Sequence, residues 1–181
     1  LEEFRAAIGA ENVHTDPETR REYSDTYSPK EWTEYLPPAV LQPATVEEVQ
    51  AVVRIANRLG IELWANSQGR NNGYGGSAPR HAGTVVVNLR RMNRVLEVNE
   101  EFSYVVVEPG VSFNDLYDYT QANGHRIWVD CPDIGWGSVV GNSLEHGFGY
   151  TVNGDRANSV CGIEVVLPNG ELLRTGMGAM T

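Results

Sequence analysis

Between Thr45 and Gly60, Val46, Val49, Val52, Val53, Ala56 and Leu59 recur at helical spacing, the pattern that lines one face of an α-helix. Thr45 followed by Glu48 is a capping-box signature and Gly60 a stop, so one amphipathic helix is predicted there. Ala39 to Leu41, held between Pro37-Pro38 and Pro43, reads as a short strand, and Ile61 to Ala65 as a second. A strand, a helix and a strand in one sheet are expected to run parallel with a right-handed crossover.

From Thr84 the pattern changes to short β-branched runs. Thr84 to Leu89, Val95 to Val98 and Tyr104 to Glu108 read as strands separated by charged or Pro-Gly turns. Ser112 is a cap for a helix whose Phe113, Leu116, Tyr117 and Thr120 share a face, ended by Gly124. Ile127 to Val129 reads as a further strand. Cys161 to Leu167, the turn Pro168-Asn169-Gly170, and Glu171 to Arg174 complete the β pattern. The fold class predicted is α+β. Two glycine-rich segments interrupt it: SQGRNNGYGG, from Ser67 to Gly76, and DCPDIGWGSVVGNSLEHGFGYTVNGD, which holds six glycines between Asp130 and Asp155.

Composition narrows the function classes. The 181 residues are 41% apolar and 21% charged, as in ordinary globular proteins, and carry a formal net charge of -10. That charge, with no basic patch, argues against nucleic acid as a partner. The longest apolar runs are a few residues, as in Val85 to Val87 and Val105 to Val107, too short to span a bilayer. A soluble protein is expected, the cytoplasm being the favoured compartment. Cys131 and Cys161 lack metal-site spacing and read as plain thiols. Leu1 is not an initiator, which leaves a removed leader open.

Glycine gives up more conformational entropy on folding than other residues, so SQGRNNGYGG is either an exposed connector or a place where backbone meets a ligand. Gly73, Gly75 and Ala78 formally fit a relaxed dinucleotide fingerprint. That motif needs a helix to begin within it, whereas Pro79 follows and a strand starts near Thr84. A P-loop is excluded because no Gly-Lys-Ser/Thr occurs. What remains is an irregular loop able to wrap a diphosphate with successive N–H groups, with Arg70 adding charge.

Four stretches, SQGRNNGYGG, VVEPGVSFNDLYDY, DCPDIGWGSVVGN and CGIEVVLPNGELLRTGMGA, occur in the order and spacing of one flavoprotein family. Together they resemble the FAD-binding domain of the vanillyl-alcohol oxidase and p-cresol methylhydroxylase family, most nearly its eugenol and vanillyl-alcohol oxidase branch. The resemblance runs from about Tyr23 to Thr181. It implies an N-terminal arm over residues 1–30 and an FAD-binding domain over 31–181, belonging to a longer enzyme whose substrate-binding cap lies outside this chain. The domain implied is two α+β subdomains, one around a small parallel sheet and one antiparallel, with FAD between them.

The same resemblance implies site residues. Ser67, Gln68, Gly69, Arg70, Asn71, Asn72 and Gly73 would bind the FAD pyrophosphate through main-chain N–H groups. Pro132, Asp133, Gly135, Gly137, Ser138, Gly141 and Asn142 would line the flavin ring and ribityl chain. Gly162 and Ile163 would meet other parts of the cofactor. Tyr74 would hold a phenolate oxygen, against the plainer reading of an aromatic packed beside a loop. Asp133 would lie beside the flavin N5, assist hydride transfer from a benzylic carbon and act as base toward water; without the resemblance it reads as a turn former.

Cytochrome-coupled methylhydroxylases carry serine at the position of Asp133, so an oxidase is expected. It would take para-substituted phenols through a quinone methide and pass electrons to oxygen to give hydrogen peroxide. The alternatives are a cytochrome-coupled 4-alkylphenol methylhydroxylase and a flavin-binding fragment without turnover. A homo-oligomer is implied for the full-length form. Asp130 reads as a strand-end acid, His81, His125 and His146 as loop or surface residues with no metal-site spacing, and Trp128 and Trp136 as core or flavin-flanking bulk. Thr151 to Val160 departs from the family's aromatic and histidine character.

Overall fold

The computed structural model describes residues 1–24, 32–70, 77–132 and 134–180. Helix α1 (Glu2–Ile8), strand β1 (Val13–His14) and helix α2 (Pro17–Arg21) precede β2 (Val40–Leu41). Helix α3 (Val46–Leu59) then leads to β3 (Leu63–Asn66) and β4 (Val85–Asn88). These strands form one sheet of order β1-β2-β4-β3, in which β1 is antiparallel to β2 and the others are parallel. The strand, helix, strand unit predicted around α3 is therefore present, but β4 is inserted between its two strands.

Strand period two divides the interior. Ala39, Leu41, Val85 and Val87 join Val52 and Ala56 of α3 and Phe4 and Ile8 of α1 in one buried cluster. Val40 and Val86, alternating with them, face the other way against Tyr23 and Trp64. The first 24 residues, read from sequence as arm, thus put Phe4, Ile8, Val13 and Tyr23 into the core. The Thr45 hydroxyl accepts from the Glu48 N–H at 3.2 Å, whereas the Glu48 carboxylate reaches back one residue further than expected, to the Ala44 N–H at 2.7 Å.

Strands β5 (Val95–Asn99) and β6 (Tyr104–Val107) form an antiparallel hairpin, followed by α4 (Phe113–Ala122). A full capping box between Ser112 and Asp115 starts α4; Phe113, Leu116 and Thr120 are buried, while Tyr117 is exposed. Ile127 to Val129 alternates in exposure like a strand but joins no ladder among the described residues. The second glycine-rich segment contains a short helix that sequence patterning did not mark, α5 (Val139–Leu144). Strands β7 (Glu164–Val166) and β8 (Leu172–Arg174) form the last hairpin. Its turn docks on α3, where Gln50 and Arg54 donate to the Gly170 carbonyl at 2.7 and 2.8 Å.

Glu108 closes the open end of the β5–β6 hairpin. Its buried carboxylate accepts from the Arg94 N–H at 2.8 Å and from the guanidinium at 2.6 and 3.1 Å. Burial pushes its pKa up, but these Arg94 donors outweigh burial and hold it below the ordinary glutamate value. Such a carboxyl adds stability above its unfolded pKa, and that contribution is lost as pH falls through the lower folded pKa. Arg94→Leu should therefore destabilise most near neutrality, with its gap from wild type narrowing from about pH 6 to about pH 3. Urea unfolding against pH checks this; a gap independent of pH would contradict it.

Candidate functional site

The first glycine-rich segment begins where β3 ends. Gln68 is buried, its amide donating to the Gly110 carbonyl, and its own carbonyl accepts from Arg90 Nε at 2.9 Å. Gly69 has a φ of 65°, and a Cβ there would lie 2.8 Å from Ser77 Cβ, so the chain folds back on itself at that point. No helix occurs from Ser77 to Thr84, where a dinucleotide fingerprint would need one.

The second segment is fastened along the start of α4. The N–H groups of Phe113 and Asn114 donate to the Gly137 and Gly135 carbonyls at 3.1 and 2.9 Å, and Val139 N–H donates to Val111 O at 3.0 Å. Ser138 caps α5: its hydroxyl accepts from Gly141 N–H at 2.9 Å and donates to the Pro109 carbonyl at 2.6 Å. This hydrogen bonding determines where α5 begins.

The two segments meet. A Cβ at position 141 would collide with Ser67 Oγ, so the first turn of α5 lies against Ser67 because residue 141 is glycine. Arg70 donates to the Trp136 carbonyl at 3.4 Å, and its guanidinium carbon sits 6.0 Å from the Trp136 ring centre. Gly137 differs from Gly141, since a Cβ there would be 4.0 Å from Arg70 O, ordinary contact. Nothing within the described chain requires position 137 to lack a side chain.

Several groups here have unused hydrogen-bonding capacity. Among the described residues, the N–H groups of Gln68, Gly69, Arg70 and Gly137 have no acceptor. Asn142 Oδ1 is buried without a donor, boxed in against Gly147. Main-chain donors beside a guanidinium suit a diphosphate.

Of the sequence-predicted site residues, Ser67 to Arg70 and Pro132, Gly135, Gly137, Ser138, Gly141 and Asn142 belong to these two adjoining segments. Asn71, Asn72, Gly73, Tyr74 and Asp133 lie outside the described residues. Gly162 and Ile163 lead into β7, where Ile163 exchanges hydrogen bonds with Thr175 at 2.9 and 3.3 Å; no bond to either glycine-rich segment is present among the described residues. Trp128 and Trp136 are 79% and 58% exposed, so neither is core. Cys131 and Cys161 are free and exposed, and no group of three metal-ligating side chains occurs among the described residues.

Asp130 is more than a strand-end acid. It faces Arg156, itself 5% exposed, with Asp130 Oδ2 and Arg156 Nη2 3.2 Å apart, and Arg156 Nε donates to the Asp130 carbonyl at 3.3 Å. The guanidinium carbon stands 5.6 Å from the Phe113 ring centre, which ties the 130–137 segment to α4. An Asp and an Arg separated by 26 positions leave no local signature, so this pair was not legible in sequence. Asp130→Asn leaves a buried cation uncompensated and should cost about 3–5 kcal/mol in urea unfolding, while adding Arg156→Met should recover most of that loss. Additive losses in the double variant would contradict the pairing.

Known proteins share this fold. The 4-cresol dehydrogenase [hydroxylating] flavoprotein subunit of Pseudomonas putida is 40% identical over 99% of this chain and 35% of its own length. The 1'-carboxy-chondrochloren decarboxylase of Chondromyces crocatus is 43% identical over 98% of this chain and 32% of its own. The solved structure of 4-ethylphenol oxidase from Gulosibacter chungangensis, an isoeugenol complex, superposes with a TM-score of 0.94 at 49% identity, covering 99% of this chain and 34% of that one. This chain thus spans about a third of the length of the curated relatives it matches. An FAD binding domain model matches residues 37–176, and the chain belongs to that FAD-binding family, as its four motif stretches imply.

Proposed function

We propose that the chain is the FAD-binding portion of an enzyme that oxidises para-substituted phenols at the benzylic carbon. The observation that carries this is the meeting of Ser67–Arg70 with Trp136–Gly141, which brings to one place main-chain donors on two segments that have no acceptor among the described residues. Similarity to a 4-cresol dehydrogenase subunit and a 4-ethylphenol oxidase supports the substrate class.

The N–H groups of Ser67 to Gly73 hold the pyrophosphate, with Arg70 adding positive charge. Pro132 to Asn142 face the ribityl chain and ring. When bound, FAD supplies the acceptor for the two electrons that leave the benzylic carbon as hydride. Tyr74 donates a hydrogen bond to the phenolate oxygen and fixes the ring. The substrate is left as a quinone methide, and Asp133 takes a proton from the water that attacks it, giving the 4-hydroxybenzyl product. In this reading oxygen is the terminal acceptor and hydrogen peroxide the by-product. The second reading is a dehydrogenase that passes electrons to a protein partner such as a cytochrome, favoured by the 40%-identical relative being one subunit of a dehydrogenase.

The full-length protein should carry a flavin spectrum that bleaches with a 4-alkylphenol without air and recovers with oxygen. Asp133→Ser should slow bleaching about 100-fold or more with little change in FAD affinity. An unchanged rate would return Asp133 to a turn role, and a protein with no bound flavin would overturn the reading. Recovery that needs a cytochrome would favour the dehydrogenase.

A further inference from the structure

We propose that Asn88 and Arg90, at the end of β4, are positioning residues that turn the N–H groups of the 67–70 segment toward the FAD diphosphate; this rests on the pyrophosphate role given to that segment above. Neither residue belongs to a glycine-rich motif.

Asn88 is fully buried, at 0% exposure. It sits opposite Asn66 in the parallel β3–β4 register, where a buried amide is costly unless its donors and acceptor are matched. Its Nδ2 donates to Asn66 Oδ1 at 2.5 Å and to the Ser67 carbonyl at 3.0 Å, while its Oδ1 accepts from Arg90 N–H at 3.2 Å. The Arg90 N–H can only donate, so the oxygen of Asn88 must face it, leaving two hydrogens for two acceptors. Aspartate would keep the contact with Arg90 N–H and set an oxygen against both acceptors. Arg90 continues the pattern: its Nε donates to the Gln68 carbonyl at 2.9 Å.

Two successive carbonyls, of Ser67 and Gln68, are therefore held toward β4. A trans peptide points its N–H opposite to its C=O. Holding these oxygens inward directs the N–H groups of Gln68 and Gly69 away from β4, and among the described residues neither has an acceptor. Successive outward N–H groups are the geometry of an anion nest. The other end of the loop is tied to the Asn66 amide, Asn88's partner. Asn66 Nδ2 reaches the Ser77 carbonyl at 3.5 Å, and Gly69 lies against the buried Ser77 side chain. Asn66 and Asn88 thus close the loop at entry and exit.

The test uses the full-length protein as wild type, Asn88→Asp, Arg90→Met and a control, Val52→Ala, in the α3 core. Apoprotein thermal unfolding, FAD affinity by flavin fluorescence and the 31P resonances of bound FAD are measured for each. Asn88→Asp and Arg90→Met should weaken FAD about tenfold to a hundredfold and move the 31P resonances. Val52→Ala should lower apoprotein stability without doing either. Should Asn88→Asp fail to fold, Arg90→Met, whose side chain is part exposed, carries the same test. The proposal is overturned if both variants lose no more affinity than Val52→Ala and leave the 31P resonances in place. Wild type without FAD would instead overturn the cofactor reading beneath it.

Discussion

The contact between Ser67 and Gly141 is the constraint on which the site depends. Two segments on either side of the β5–β6 hairpin can share one ligand only if their backbones come close, and glycine at residue 141 lets the first turn of α5 sit against Ser67 without displacing its hydroxyl. Each segment is fastened to something rigid before they meet. The first leaves the parallel sheet through buried Gln68, and the second is bonded along residues 111–114 and capped by Ser138. Between them the Arg94–Glu108 pair closes the hairpin, and the tight approach of Gly110 to the Leu89, Arg90 and Met92 carbonyls joins it to the end of β4. The sheet therefore sets one wall of the site, α4 sets the other, and the glycines permit contact.

Much of this was legible in the sequence where the cause is local. The α3 face, the Ser112 cap of α4 and the runs at 85–88, 95–99 and 104–107 arise from periodicity and capping, which act over a few residues. Helix α5 was missed because Gly141 and Ser143 dilute its apolar pattern and its start is set by Val111 and Pro109, remote in sequence. Ile127–Val129 shows the converse, a strand-like alternation that lacks a neighbour to complete a ladder among the described residues. The insertion of β4 between β2 and β3 is also non-local, since periodicity states which residues are buried but not which strand lies beside them.

The site divides along the same line. Glycine spacing and motif resemblance pointed to Ser67–Gly73 and Pro132–Asn142, of which Ser67–Arg70 and Gly135–Asn142 adjoin in the fold. Neither indicated the side chains that support them: Asn88, Arg90, Asp130 and Arg156 act across long separations and carry no local signature. Within Thr151–Val160, Arg156 stands beside Asp130 and Phe113. Trp136, Phe148 and Tyr150 are all exposed along this second segment, so its aromatic character faces outward rather than into the domain.

The central claim is that both glycine-rich segments hold one FAD together. Amide hydrogen exchange of the full-length protein, apo against FAD-loaded, tests it most directly. The account predicts slowed exchange in peptides covering 67–70 and 135–142 at the same FAD occupancy, with β8 at 172–174 unchanged. Protection confined to one of the two segments, or appearing at 161–163 without them, would contradict it.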